Sequence, residues 1–209
     1  MALNATKPAL FVLFKASAFA AFSAQPLYRI LKMTIIEKLI GIPISGKYQE
    51  IIFDLPAPWT KESWNYVKFT QSDGTEWCGA FREKQDSNFL VAYLSDKGVA
   101  CIVSGGHGQI IDVDKKEKIF DIWTEPIIDL FADEETNTFY ISSWSTISVI
   151  DNEFNEFFIS VPIECDGIYF RKKEERKLRL EIEEISMARR IHLNYFIDLN
   201  DRLIRENAV

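Results

Sequence analysis

The chain has 209 residues, 47% hydrophobic and 26% charged, which suits a buried core and argues against disorder. Nine Gly and seven Pro exclude collagen-like and low-complexity classes, and three Cys are too few for a paired disulfide framework or a four-thiolate zinc site. With 24 basic against 31 acidic side chains the net charge is −7, so nucleic acid, which calls for a basic face, is not an expected partner.

Residues 1–32 differ from the rest. They hold Lys7, Lys15, Arg29 and Lys32 and no acidic residue, leaving 20 basic and 31 acidic side chains in 33–209, a net of −11. Two runs, 9–14 and 16–22, are apolar and rich in Ala and Phe. The segment reads as an N-terminal extension to a single β-rich domain over 33–209. Its readings are a secretory signal or anchor, a transit peptide, an ordinary packed helix, or an upstream extension with translation starting at Met33. Lys15 divides the apolar stretch, and Ala9 to Ala24 falls short of the ~20 residues that cross a bilayer, so a transmembrane span is not expected.

After Met33, Thr34-Ile35-Ile36-Glu37 fits a capping box and Gly41 stands where a C′ glycine would end a short helix. A helix is predicted there, with Ile35, Ile36, Leu39 and Ile40 on its buried face. From about residue 65 the period changes to that of strands. Residues 65–70 and 77–82 flank Ser72-Asp73-Gly74, and 89–94 and 99–103 flank Ser95-Asp96-Lys97-Gly98. Such turns between β-branched and aromatic runs signal hairpins, because Gly accepts the positive φ they need. Further strands are predicted at 109–113, 119–123, 127–131, 138–141, 147–150, 156–159, 168–170, 178–182 and 191–195. The last two alternate apolar and polar residues, so each has one wet face.

Cys101-Ile102-Val103-Ser104 followed by Ile110-Ile111-Asp112-Val113-Asp114 resembles Tyr140-Ile141-Ser142-Ser143 followed by Ile147-Ser148-Val149-Ile150-Asp151. The interval from Asp114 to Asp151 is close to the spacing of propeller blades. The expected fold is therefore mainly β, an antiparallel meander of hairpins in one or two sheets. It forms a sandwich or, second, a partial propeller, with a short N-terminal helix and the added segment.

Catalytic chemistry finds little to stand on. His107 lies in Gly105-Gly106-His107-Gly108, but a strand follows where a phosphate-cradling loop would open a helix. His192 sits on the polar side of its strand. Cys78, Cys101 and Cys165 show no Cys-x-x-Cys spacing and read as small buried hydrophobes. Asp112, Asp114, Asp121, Asp129, Asp133, Glu134 and Glu135 read as solvated turn residues, with no calcium-loop pattern among them. No catalytic residue, metal ligand or cofactor is expected. Aromatics are the unusual feature. Trp59, Trp64 and Trp144 fall outside clear strands and, with His107, are the candidate partner-binding residues.

Trp77-Cys78-Gly79-Ala80-Phe81-Arg82, Val103-Ser104-Gly105-Gly106-His107-Gly108 running into Ile110-Ile111-Asp112, Asp166-Gly167-Ile168 and Tyr195-Phe196-Ile197-Asp198-Leu199 resemble segments of a group of bacterial β-sheet proteins of no settled activity. The likeness covers about 64–200. Small acidic β proteins of that kind resemble immunity partners of bacterial toxins, an analogy at the level of fold. The resulting expectation is a non-enzymatic protein–protein interaction module in the cytoplasm, steered to a basic partner such as a toxin by its acidic surface. The alternatives are a small hydrolase or ligand-binding enzyme using the His107 loop with Asp112 or Cys101, and a secreted or membrane-tethered β protein dependent on residues 1–32.

Overall fold

The computed structural model describes residues 34–53, 63–83, 88–124, 126–186 and 189–206, with backbone alone at 185, 186, 189 and 190. The extension at 1–32 and Trp59 lie outside the described residues. Every regular element among the described residues is a strand. None of them forms a helix long and apolar enough to cross a membrane.

The strands form four sheets of four. The first contains β1 (Ile35–Leu39), β2 (Gln49–Ile52), β3 (Trp64–Thr70) and β4 (Glu76–Arg82), in spatial order β1-β3-β4-β2. The second is a meander of β5 (Phe89–Leu94), β6 (Val99–Ser104), β7 (His107–Asp112) and β8 (Glu117–Asp121). The third runs β9 (Asp129–Asp133), β10 (Thr138–Ser142), β11 (Ile147–Ile150) and β12 (Glu156–Ile159). The fourth runs β13 (Gly167–Glu174), β14 (Lys177–Ser186), β15 (Arg189–Asp198) and β16 (Leu203–Glu206). All pairings are antiparallel except β2 with β4, which is parallel.

The expected helix after Met33 is instead β1, whose five residues pair with β3 from Ile35–Thr70 to Leu39–Tyr66. A single capped turn secures few backbone bonds, and an isolated helix of that length is unstable in water. The sheet satisfies the backbone and partly covers one residue on each face of the segment: Ile36 packs on one side of the first sheet, Leu39 on the other. Gly41 does adopt φ +83°, but it ends a strand.

The count of sheets corrects the expectation of one or two. Inner strands are apolar on both faces, so each inner sheet fills two seams. Ala100 and Ile102 of β6 join Val67, Phe69, Trp77 and Phe81 of the first sheet. The alternate residues Val99, Cys101 and Val103 join Phe139, Ile141 and Ile150 of the third sheet. Tyr140, Ile147 and Val149 then face Ile168, Phe170, Leu178, Leu180 and Ile182 of the fourth. A period of two thus reads out as successive packed layers. The internal repeat marks equivalent turns, Val113–Lys116 after β7 and Asp151–Asn155 after β11, each the third strand of its sheet.

The two end sheets finish differently. The outer face of the first carries a small apolar cluster of Tyr66, Cys78 and Ala80 with Leu39, Tyr48, Ile52 and Trp64. On the outward face of β14, Glu181 binds Arg171 Nε at 2.9 Å and His192 Nδ1 at 2.7 Å. Among the described residues, no buried apolar cluster joins the first sheet to the fourth.

Asp129 and Asp133, read from sequence as solvated turn residues, hold the third seam. The Phe170 N–H donates to Asp129 Oδ2 at 2.7 Å, and the Leu130 N–H donates to Oδ1 at 2.9 Å. Burial nevertheless raises the Asp129 carboxyl above its ordinary range. Asp133 is buried against Lys173 Nζ at 2.5 Å, and Ser142 Oγ donates to the Ile168 carbonyl at 2.6 Å.

Candidate functional site

The hydrolase reading needs His107, Cys101 and Asp112 together, and the strand geometry separates them. Gly105 (φ +59°) and Gly106 (φ +78°) form the two-residue turn, with Ser104 paired to His107, as a hairpin of the primed type requires. His107 is therefore the first residue of β7, and Asp112 is the last, about 17 Å along an extended strand. The His107 ring is largely covered, with Nε2 3.6 Å from Asp121 Oδ1. Although burial opposes it, the Lys115 N–H and ammonium hold Asp112 below the usual carboxylate range. Cys101 is fully buried in the second seam, where desolvation and Glu156 raise its thiol. Burial likewise pushes Cys78 up to about 11. Thiols so placed stay protonated and are poor nucleophiles.

Trp64 opens β3 and is half-buried in the outer cluster of the first sheet. Trp144 is 52% exposed on the turn between β10 and β11. That turn is rigid. The Ser143 N–H donates to the Thr146 carbonyl at 2.9 Å, and the two hydroxyls lie 2.6 Å apart. The Cys165 thiol, on the connector from β12 to β13, donates to the Trp144 carbonyl at 3.6 Å.

Beside Trp144 lies an open cleft of about 360 Å³ lined by Ser145, Glu164, Cys165, Asp166 and Glu184. The Asp166 N–H donates to the Glu183 carbonyl at 2.8 Å, which fixes the connector against β14. Glu184 continues the inward face of β14 past Ile182, where the apolar seam ends. Burial first and then the Asp166 charge raise the Cys165 thiol, so it offers a neutral donor rather than a thiolate. The cleft therefore presents three carboxylates, a hydroxyl and a thiol to whatever enters, a setting for a cation. Among the described residues, no group of three or more His, Cys, Asp or Glu side chains is placed to hold a metal ion.

One exposed aromatic escaped the sequence reading. The strand predicted at 119–123 ends at Asp121, and Trp123 leaves the sheet 82% exposed. Glu156 pins this departure by accepting the N–H of Trp123 at 2.9 Å and the hydroxyl of Thr124 at 2.8 Å. Pro126, which cannot donate to a ladder, was the signal available. The cleft residues Ser145, Glu164, Cys165, Asp166 and Glu184 shared no common motif, since they come from three separate segments.

No family model matches the chain, and no curated protein matches it. Among solved structures it is similar to that of streptogramin B lyase, with 10% identity, a TM-score of 0.41, and coverage of 84% of this chain and 73% of that one. At that TM-score the likeness transfers neither residues nor activity. It does correct one expectation: with an enzyme among the similar structures, the exclusion of catalysis drawn from the sequence is withdrawn.

Proposed function

We propose that the protein is a protein-binding module that takes a basic partner at the acidic cleft beside Trp144. The observation that carries this reading is the convergence of Glu164, Asp166 and Glu184 on one open cleft, with Trp144 52% exposed on the adjoining turn. Lys or Arg side chains gain there from carboxylate charge, and a partner reaching the adjoining turn can also cover the exposed indole. The net −11 of residues 33–209 steers such a partner by complementary fields, an effect screened beyond about 8 Å at physiological salt. A basic toxin, bound in the manner of an immunity protein, is one partner of this chemistry. The four sheets act as blades of an open, propeller-like arc whose seams hold the cleft in shape. The three free cysteines suit a reducing compartment, and we place the protein in the cytoplasm on that ground.

Titration calorimetry with an arginine-rich peptide, a neutral peptide of equal length and an acidic one tests the reading. The arginine-rich peptide binds and loses affinity with added salt, and Trp144→Ala together with Glu164→Lys and Asp166→Lys abolishes the heat. Equal binding of all three peptides, or an unchanged isotherm for the variant, refutes it.

A further inference from the structure

We draw no further inference here: the strongest candidate, the exposed side chains of Trp123 and Phe158 on the surface where the chain leaving β8 meets the edge strand β12, carries nothing because nothing in the structure shows what covers it.

Discussion

Replacing Asp129 by Ala removes the acceptor for two backbone N–H groups and leaves that of Phe170, a residue buried in the third seam, without its 2.7 Å partner. An unpaired buried donor costs about 1–3 kcal/mol. The wild-type carboxyl already bears a desolvation penalty, which raises its pKa and which the substitution relieves. The net loss is therefore about 2 kcal/mol, read as a lower urea midpoint at unchanged slope. The pH dependence follows from the direction of the shift. A carboxyl whose folded pKa lies above its unfolded value contributes its full stability below the unfolded value. It loses that contribution as pH rises through the folded one. The difference between wild type and Asp129→Ala is thus larger in acid than at neutral pH. Urea titrations at several pH values, followed by tryptophan fluorescence, measure it. A difference that widens toward neutral pH, or one below about 0.5 kcal/mol throughout, refutes the assignment of Asp129 to the seam.

At the same seam, Lys173→Met leaves the buried Asp133 without its 2.5 Å cation, and about 3 kcal/mol of stability is lost by chemical denaturation. A loss no larger than that of an exposed control lysine would contradict this pairing. Gly108→Ala sets a Cβ 2.5 Å from Ile127 Cδ1 and 3.3 Å from Ile122 Cβ, so the second seam is overpacked by about 1–3 kcal/mol; an unchanged melting temperature would show that the seam is loose there. Iodoacetamide in native buffer modifies Cys165 slowly and leaves Cys78 and Cys101 untouched until denaturant is added. Early modification of Cys101, seen by peptide mass spectrometry, would contradict its burial.

The hairpins β3–β4, β5–β6 and β6–β7 were legible because their determinants are local: positive-φ glycines at 74, 98, 105 and 106, and side chains alternating over the pleat. The strands β1, β2 and β16 were not legible as strands: β1 and β2 pair with β3 and β4 further along the chain, and β16 returns on β15 through a turn whose positive-φ residue is Arg202 and not a glycine. Thr34 and Glu37 offered a helix cap, and the cap lost to a ladder with β3 thirty-odd positions away in the chain. The number of sheets was encoded in the inner strands. β6 is buried along its whole length, and a strand with two buried faces requires a neighbour on each. Asp129 opens a strand and resembles a turn residue, but its partner, Phe170, belongs to another sheet. Trp144 was marked by its serine neighbours, whereas Glu164, Asp166 and Glu184 are ordinary acidic residues until the β12–β13 connector meets the end of β14.

Affinity capture from the native cell, with wild type and the variant Glu164→Lys, Asp166→Lys, Glu184→Lys as parallel baits, addresses the binding claim most directly. A basic protein retained by the wild type at physiological salt, released at high salt and absent from the variant is the expected result. Equal retention of that protein by both baits, or of an acidic protein insensitive to salt, would contradict a role for the cleft beside Trp144.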